Sequence, residues 1–258
     1  GFGFMDFIKI DGPISILAII VTVIYLDRVT FKPYRNTEDK LQRLASMDPS
    51  KAIVSRSGLI KSLVVFLAII IGFLIHGLLK IEPSIIALTG AAAAMLLSGR
   101  NFAQLSEDIE WDTIFFFIGL FVLAFAIQEV GITAFISDAL GVMAGNKVVL
   151  FLVLFWLSSL LSGFIGAVPA VTFLIPIISR MISRYGITTD IWWVVSIASC
   201  FGGSFSLAGA AANMVGVGLI EKNSREKLTY SDFLKFSLPV TLITLLMGTG
   251  YILVMFAI

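Results

Sequence analysis

Apolar residues fill this chain in blocks too long for a water-soluble fold. Leu63–Leu79, Ile85–Ser98, Thr113–Ile127 and Leu238–Ile258 each approach the ~20 residues that carry a helix across a bilayer. Two further blocks are interrupted midway by small and polar residues. The first runs Val148–Leu161, then Ser162-Gly163-Phe164-Ile165-Gly166-Ala167-Val168-Pro169, then Ala170–Ile182. The second runs Ile191–Cys200, then Phe201-Gly202-Gly203-Ser204-Phe205-Ser206-Leu207-Ala208-Gly209, then Ala210–Ile220. Hydrocarbon cannot hydrogen-bond to exposed N–H and C=O groups, so unwound backbone at membrane depth survives only inside protein or around a polar cavity. Paired interruptions of this kind point to the binding site of a secondary transporter. The pattern predicts an all-α polytopic protein integral to the cell (plasma or inner) membrane.

Composition agrees with that reading. The chain is 58% hydrophobic and 14% charged, with mean hydropathy +1.01, outside the soluble range. A net charge of +1 suggests neither nucleic acid nor another polyanion as partner. Cys200 is alone, which excludes an internal disulfide. An intramembrane enzyme would need a Ser–His or paired-Asp arrangement or zinc ligands at membrane depth. The single His76, placed near a membrane edge, supplies none of these, so neither catalysis nor a metal or organic cofactor is expected. A coupling Na+ or H+ is the one co-substrate the reading allows.

The two ends of the chain match each other. Asp6-Phe7-Ile8-Lys9, Pro13 and Tyr25 recur as Asp232-Phe233-Leu234-Lys235, Pro239 and Tyr251, at a constant offset of 226 residues. Shared hydrophobicity does not explain the charged pair or the proline. Residues 1–26 then read as the last-helix segment of a preceding repeat, with the helix itself over Gly12–Leu26, 27–61 as a cytoplasmic linker and 62–258 as a complete second repeat. The body of the first repeat would be a missing partner upstream, and a homodimer and the lipid bilayer are the other partners considered.

Charge sets the orientation, because Lys and Arg are retained on the cytoplasmic side. Asp27–Lys61 holds eight of the 18 basic residues and is placed inside. If 147–182 dips in and returns as a re-entrant hairpin, 13 bases fall inside and five outside; a full crossing gives 11 and seven. Arms of 14 and 13 residues also fall short of the ~30 Å core. The expected fold is thus one inverted-topology repeat. It has five crossings, the hairpin, a broken helix at 190–221 and a final helix at 236–258. Ile132–Ala144 and Leu228–Lys235 read as short segments lying at the interface, with Trp192 and Trp193 as an aromatic belt.

Several stretches are similar to the ion-transporter superfamily of arsenite permeases, NhaD-type sodium/proton antiporters and citrate carriers. They are Pro83–Ala91, Glu110–Phe121, Phe201-Gly202-Gly203 through Asn213, and Lys222–Pro239. The resemblance covers the chain as the C-terminal half of such a protein. It implies transport of a small inorganic or organic ion by alternating access. Relatives often carry Asp-Asn ahead of the hairpin proline, where this chain has Gly166-Ala167, and Gly-Gly-Asn-Gly-Thr where it has Gly202-Gly203-Ser204-Phe205-Ser206. The missing carboxylate favours an anion or oxyanion over cation/proton antiport. Sodium/proton exchange and an inactive half-transporter are the alternatives.

Two clusters are the candidate ion-binding residues. At the hairpin tip, Gly163, Gly166 and Pro169 would let backbone approach a ligand, and Ser162 or Thr172 would add a hydroxyl. The same residues would also serve a tight buried turn. At the second break, Gly202, Gly203, Ser204, Ser206, Gly209 and Asn213 would open a helix N-terminus and a polar shell toward an ion. Close packing of small residues between helices is the competing explanation. Asp112 opens a membrane helix beside Glu110, where it caps the dipole or carries a coupling proton.

Overall fold

The computed structural model describes residues 2–30, 55–99, 106, 109, 111–223 and 228–257, and every regular element among them is helical. Ten α-helices follow in order: α1 Phe4–Tyr25, α2 Arg56–Leu79, α3 Pro83–Ser98, α4 Trp111–Glu129, α5 Ile132–Gly141, α6 Lys147–Ile165, α7 Ala167–Tyr185, α8 Ile191–Gly202, α9 Ala211–Asn223 and α10 Tyr230–Ile252. Five of the described helices are long and apolar enough to cross a membrane, and a sixth span results if the bent pair α4–α5 counts as one. The chain is a multi-pass integral membrane protein.

It divides into two compact units, Gly1–Ile10 with Phe31–Asp112, and Asp11–Thr30 with Thr113–Ile258. In the first, α2 and α3 pack on each other around two glycines. A Cβ at Gly90 would stand 2.3 Å from Ile69 Cδ1, and one at Gly72 2.7 Å from Ile86 Cγ2. The turn between them is made by Lys80 in the left-handed region (φ 54°), whose N–H caps His76 O, and Pro83 then opens α3, where no amide donor is needed. His76 Nε2 accepts from Phe4 N at 3.1 Å, so the one histidine serves as a local acceptor.

The second unit holds the core. Phe151, Leu154 and Phe155 of α6, Leu174, Ile177, Ile178 and Met181 of α7, and Ile191, Val194, Val195 and Ala198 of α8 are buried together with Leu245 and Ile252 of α10. The closest approach is main chain to main chain. A Cβ at Gly202, the last residue of α8, would lie 2.2 Å from Ser159 O and 2.6 Å from Ser159 Cα on α6. At the other end, Tyr185 covers Gly141 of α5, and Arg184 and Tyr185 both donate to Asp138 at 3.0 Å. Gly131 (φ 79°) sits at the 68° bend between α4 and α5.

Three expected boundaries are corrected. Residues 162–169 are not unwound: α6 runs through Ile165 and α7 starts at Ala167, leaving Gly166 (φ 93°, ψ 156°) as the only break. Pro169 fits inside the first turn of α7, where its missing N–H is not needed. Both arms are therefore 19 residues, about 28 Å at 1.5 Å each, and the length argument for a re-entrant hairpin no longer holds. The final helix starts at Tyr230 rather than 236, because Thr229 accepts from Asp232 N as a cap and Asp232 pairs with Lys235 at 3.0 Å. Leu228–Lys235 is thus mostly the first turns of α10 and not a separate segment. The helix α2 likewise begins at Arg56, inside the expected linker, with Ser55 as its cap. The rest of that linker, 31–54, lies outside the described residues.

Phe4 and Tyr230, the first residues of α1 and α10, are 226 apart, and each helix ends in a five-residue π-helical turn, Leu26–Thr30 and Leu253–Ala257.

The Gly202 contact gives a clear expectation for stability. Gly202→Ala should cost more than about 3 kcal/mol, because neither main chain can move without the helix it belongs to. Gly145→Ala, with nothing within 4 Å of the new methyl, should leave the melting temperature of the full-length protein in detergent unchanged.

Candidate functional site

Between Gly202 and Ala211 the chain leaves the helical ladder within an apolar body, and the freed main-chain groups need partners. Short turns satisfy some of them: Ser204 N donates to Phe201 O and Phe205 N to Gly202 O. Side chains answer the others. Ser206 caps the 3-10 turn Leu207–Gly209, accepting from Gly209 N at 3.2 Å and donating to Gly163 O on α6. Asn213, in the first turn of α9, donates to Gly203 O at 3.0 Å and to Ser206 O at 2.8 Å. From α10, Ser237 donates to Phe205 O at 2.7 Å. Ser162 of α6 donates to Ser199 O of α8, and Ser159 Oγ lies 2.8 Å from Phe155 O and 3.2 Å from Ala198 O, sharing one proton between them.

Glycines allow these strands of main chain to meet. A Cβ at Gly209 would lie 2.4 Å from Gly203 O, one at Gly203 2.9 Å from Gly209 O, and one at Gly163 3.2 Å from Gly202 O. A Cβ at Gly166 would be 3.5 Å from Ala208 O. The start of α7 is therefore beside the 3-10 turn that leads into α9.

Of the expected site residues, Ser162, Gly163, Gly166, Gly202, Gly203, Ser206, Gly209 and Asn213 come together. Ser204 is half-buried in the same turn, and Pro169 is buried against Gly166. Thr172 stands apart, its Oγ1 donating back to Val168 O at 2.8 Å within α7. Glu110 and the side chain of Asp112 lie outside the described residues. No group of three or more potential metal ligands occurs among the described residues.

Chemically, the cluster differs from a shell of free hydroxyls. Ser162, Ser206 and Asn213 all give their protons to main-chain carbonyls. Around the start of α7 at Ala167, which has no side-chain cap, and the start of α9 at Ala211, the residues Val168, Ala208, Ala211 and Ala212 are exposed. Two helix N-termini opening at one place favour a negatively charged group, each terminus being equivalent to roughly half a positive charge.

Sequence reasoning passed over Ser159, Ser237, and the pair Asp11 and Ser196. Ser196 Oγ of α8 donates to Asp11 Oδ2 of α1. A signal existed. Ser159 and Ser162, like Ser196 and Ser199, stand three apart and so share a helix face. The apolar run begins at Gly12 and leaves Asp11 outside the expected helix, whereas α1 begins two turns earlier at Phe4.

Residues 1–198 match the family described as citrate transporter. The chain is similar to an uncharacterized transporter of Mycobacterium bovis, with 28% identity over 98% of this chain and 59% of that protein. It is also similar to the 46 kDa membrane protein of Mycobacterium leprae, with 27% identity over 98% and 59%. To the P protein of Mus musculus it is 25% identical, over 85% of this chain and 28% of the mouse protein. The chain thus spans about three fifths of the length of the mycobacterial relatives. No solved structure matches it.

Asn213 tests how the break is held. Asn213→Ala strips a donor from two carbonyls and should cost about 1–3 kcal/mol, and Asn213→Asp, which cannot donate, should do no better. Ser162→Ala, losing a single interhelical bond, should cost about 0.6–1.7 kcal/mol. Thermal unfolding of the full-length protein in detergent measures all three.

Proposed function

This chain belongs to the citrate transporter family, and from that premise we propose that it acts with a preceding repeat as a secondary carrier of a small oxyanion. A polycarboxylate such as citrate is the substrate class put forward. The observation that carries this reading is the contact of Gly166, where α7 starts, with Ala208 of the 3-10 turn, three residues before α9 begins at Ala211. Main-chain amides there offer an anion hydrogen bonds and positive potential without a lysine or arginine that would hold it too tightly to release. The exposed rim of Val168, Ala208 and Ala211 is where a second repeat would close the site, as inverted-repeat carriers place substrate between their halves.

Movement follows from packing. The α6–α7–α8–α10 core is continuous and interlocked, so it moves as one body and carries the break with it. Alternating access then amounts to that body rocking against the other repeat. Transport, and not covalent chemistry, is the role proposed, because the polar groups of the site are engaged in holding main chain.

The test uses the full-length protein in liposomes preloaded with unlabelled citrate. Counterflow of labelled citrate is expected, with malate or sulfate competing if the site reads charge more than shape. Gly166→Ala forces a Cβ into a conformation at φ 93°, at a cost of about 1–3 kcal/mol, and should lower the rate at least about tenfold by disturbing where α7 begins. Electroneutral sodium–proton exchange with no anion counterflow would replace this reading with an antiporter.

A further inference from the structure

Asp11 has no part in the anion site just described. It lies seven residues into α1, roughly 10 Å along the helix from Phe4. One carboxyl oxygen, Oδ2, accepts from Ser196 Oγ of α8. The other, Oδ1, is buried and has no hydrogen-bond partner. No ion pair among the described residues involves it. Among the described residues, the titratable groups near enough to feel its charge are Cys200, one turn beyond Ser196 on α8, and Tyr251 on α10. Neither supplies a cation. On its own helix, Lys9 and Asp6 stand nearer the end.

A carboxylate with one bare, buried oxygen is costly inside a bilayer, and intramembrane carboxyls of this kind mark proton and ion pathways. The neutral acid costs far less to enclose. Ser196 can donate to either form, so the contact with α8 survives protonation. The contact also connects α1 to the helix that ends at the break, since Ser196 is six residues before Gly202 on α8.

We propose that Asp11 is the proton-binding carboxyl of the carrier, protonated while docked on Ser196 and ionised when that contact opens to water. A proton from one aqueous phase adds to the carboxylate as the contact closes, and the same proton leaves to the other phase when it reopens. Nothing else is consumed. The reading rests on the carrier function proposed above, and it assigns coupling to a helix next to the anion site and not to a group within it.

The test combines two readouts on the full-length protein in liposomes. Infrared difference spectra between acidic and alkaline pH should show a protonated carboxyl stretch that disappears in Asp11→Asn. Ser196→Ala, which keeps the carboxyl and removes its donor, should retain that band and move its titration. In transport, an inward proton gradient should accelerate citrate uptake in the wild type at least about tenfold over no gradient, since one pH unit is a tenfold proton ratio. Asp11→Asn should lose that acceleration while keeping citrate counterflow, and Asp11→Glu should restore part of it. A carboxyl band unchanged in Asp11→Asn and unmoved in Ser196→Ala overturns the proposal, even if the substituted proteins fold poorly enough to silence transport. Gradient-driven uptake intact in Asp11→Asn overturns it too. If no anion is transported, the carrier reading fails by itself, and the infrared result still decides whether Asp11 holds a proton.

Discussion

Main-chain hydrogen bonding in a medium that offers none is the constraint on which this structure depends. A helix meets it automatically, and the break between α8 and α9 does not. Eight residues leave the ladder there, and the protein replaces the lost partners with Ser206, Asn213 and Ser237, aided by Ser162 at the end of α8. Those side chains come from α6, α9, α10 and the break itself, so satisfying one local defect draws four segments to one point. The glycines at 163, 203 and 209 follow from the same demand, because carbonyls can be reached by neighbouring main chain only where no Cβ intervenes.

This division of labour changes how the polar residues of the site are understood. Serine and asparagine beside a membrane break invite interpretation as ligands to an ion. Here they hold the scaffold, and in the proposed carrier the groups left for a substrate are amides at helix starts. The positive potential of such a site depends on the exact positions of α7 and α9, which are set by Gly166 and by the caps at Ser206 and Asn213. In that proposal structural and binding roles are coupled: loosening a cap moves an amide.

Much of this was legible in the chain. The long apolar runs fixed the membrane class, and the small-residue interruption after α8 was located to within two residues at each end, since four glycines and serines fall within the five residues Gly202–Ser206. The first interruption was overestimated. Pro169 and three nearby glycines and serines suggested eight unwound residues, but a proline in the first turn of a helix costs nothing, and only the left-handed Gly166 breaks the ladder. The start of α10 was missed because polar Tyr230–Lys235 has no apolar periodicity, while its cap, Thr229 with Asp232, is a local signal that hydropathy ignores. Asp11 was missed for the related reason that its helix was started one residue after it. The alignment of α1 with α10 was visible as five identities, and the matched starts and π-helical ends give it a geometric counterpart that no residue count contains.

The abutment of Gly202 on Ser159 has an implication for how such a protein can diverge. Where two side chains touch, a change in one can be offset by a change in the other, and evolution can walk through pairs of substitutions. Main chain against main chain leaves no such detour, so this crossing stays frozen whatever cargo the molecule carries. The rim at Val168, Ala208 and Ala211 is under no comparable restriction. In the proposed carrier, exposed residues there are free to change without renegotiating the helix crossing beneath.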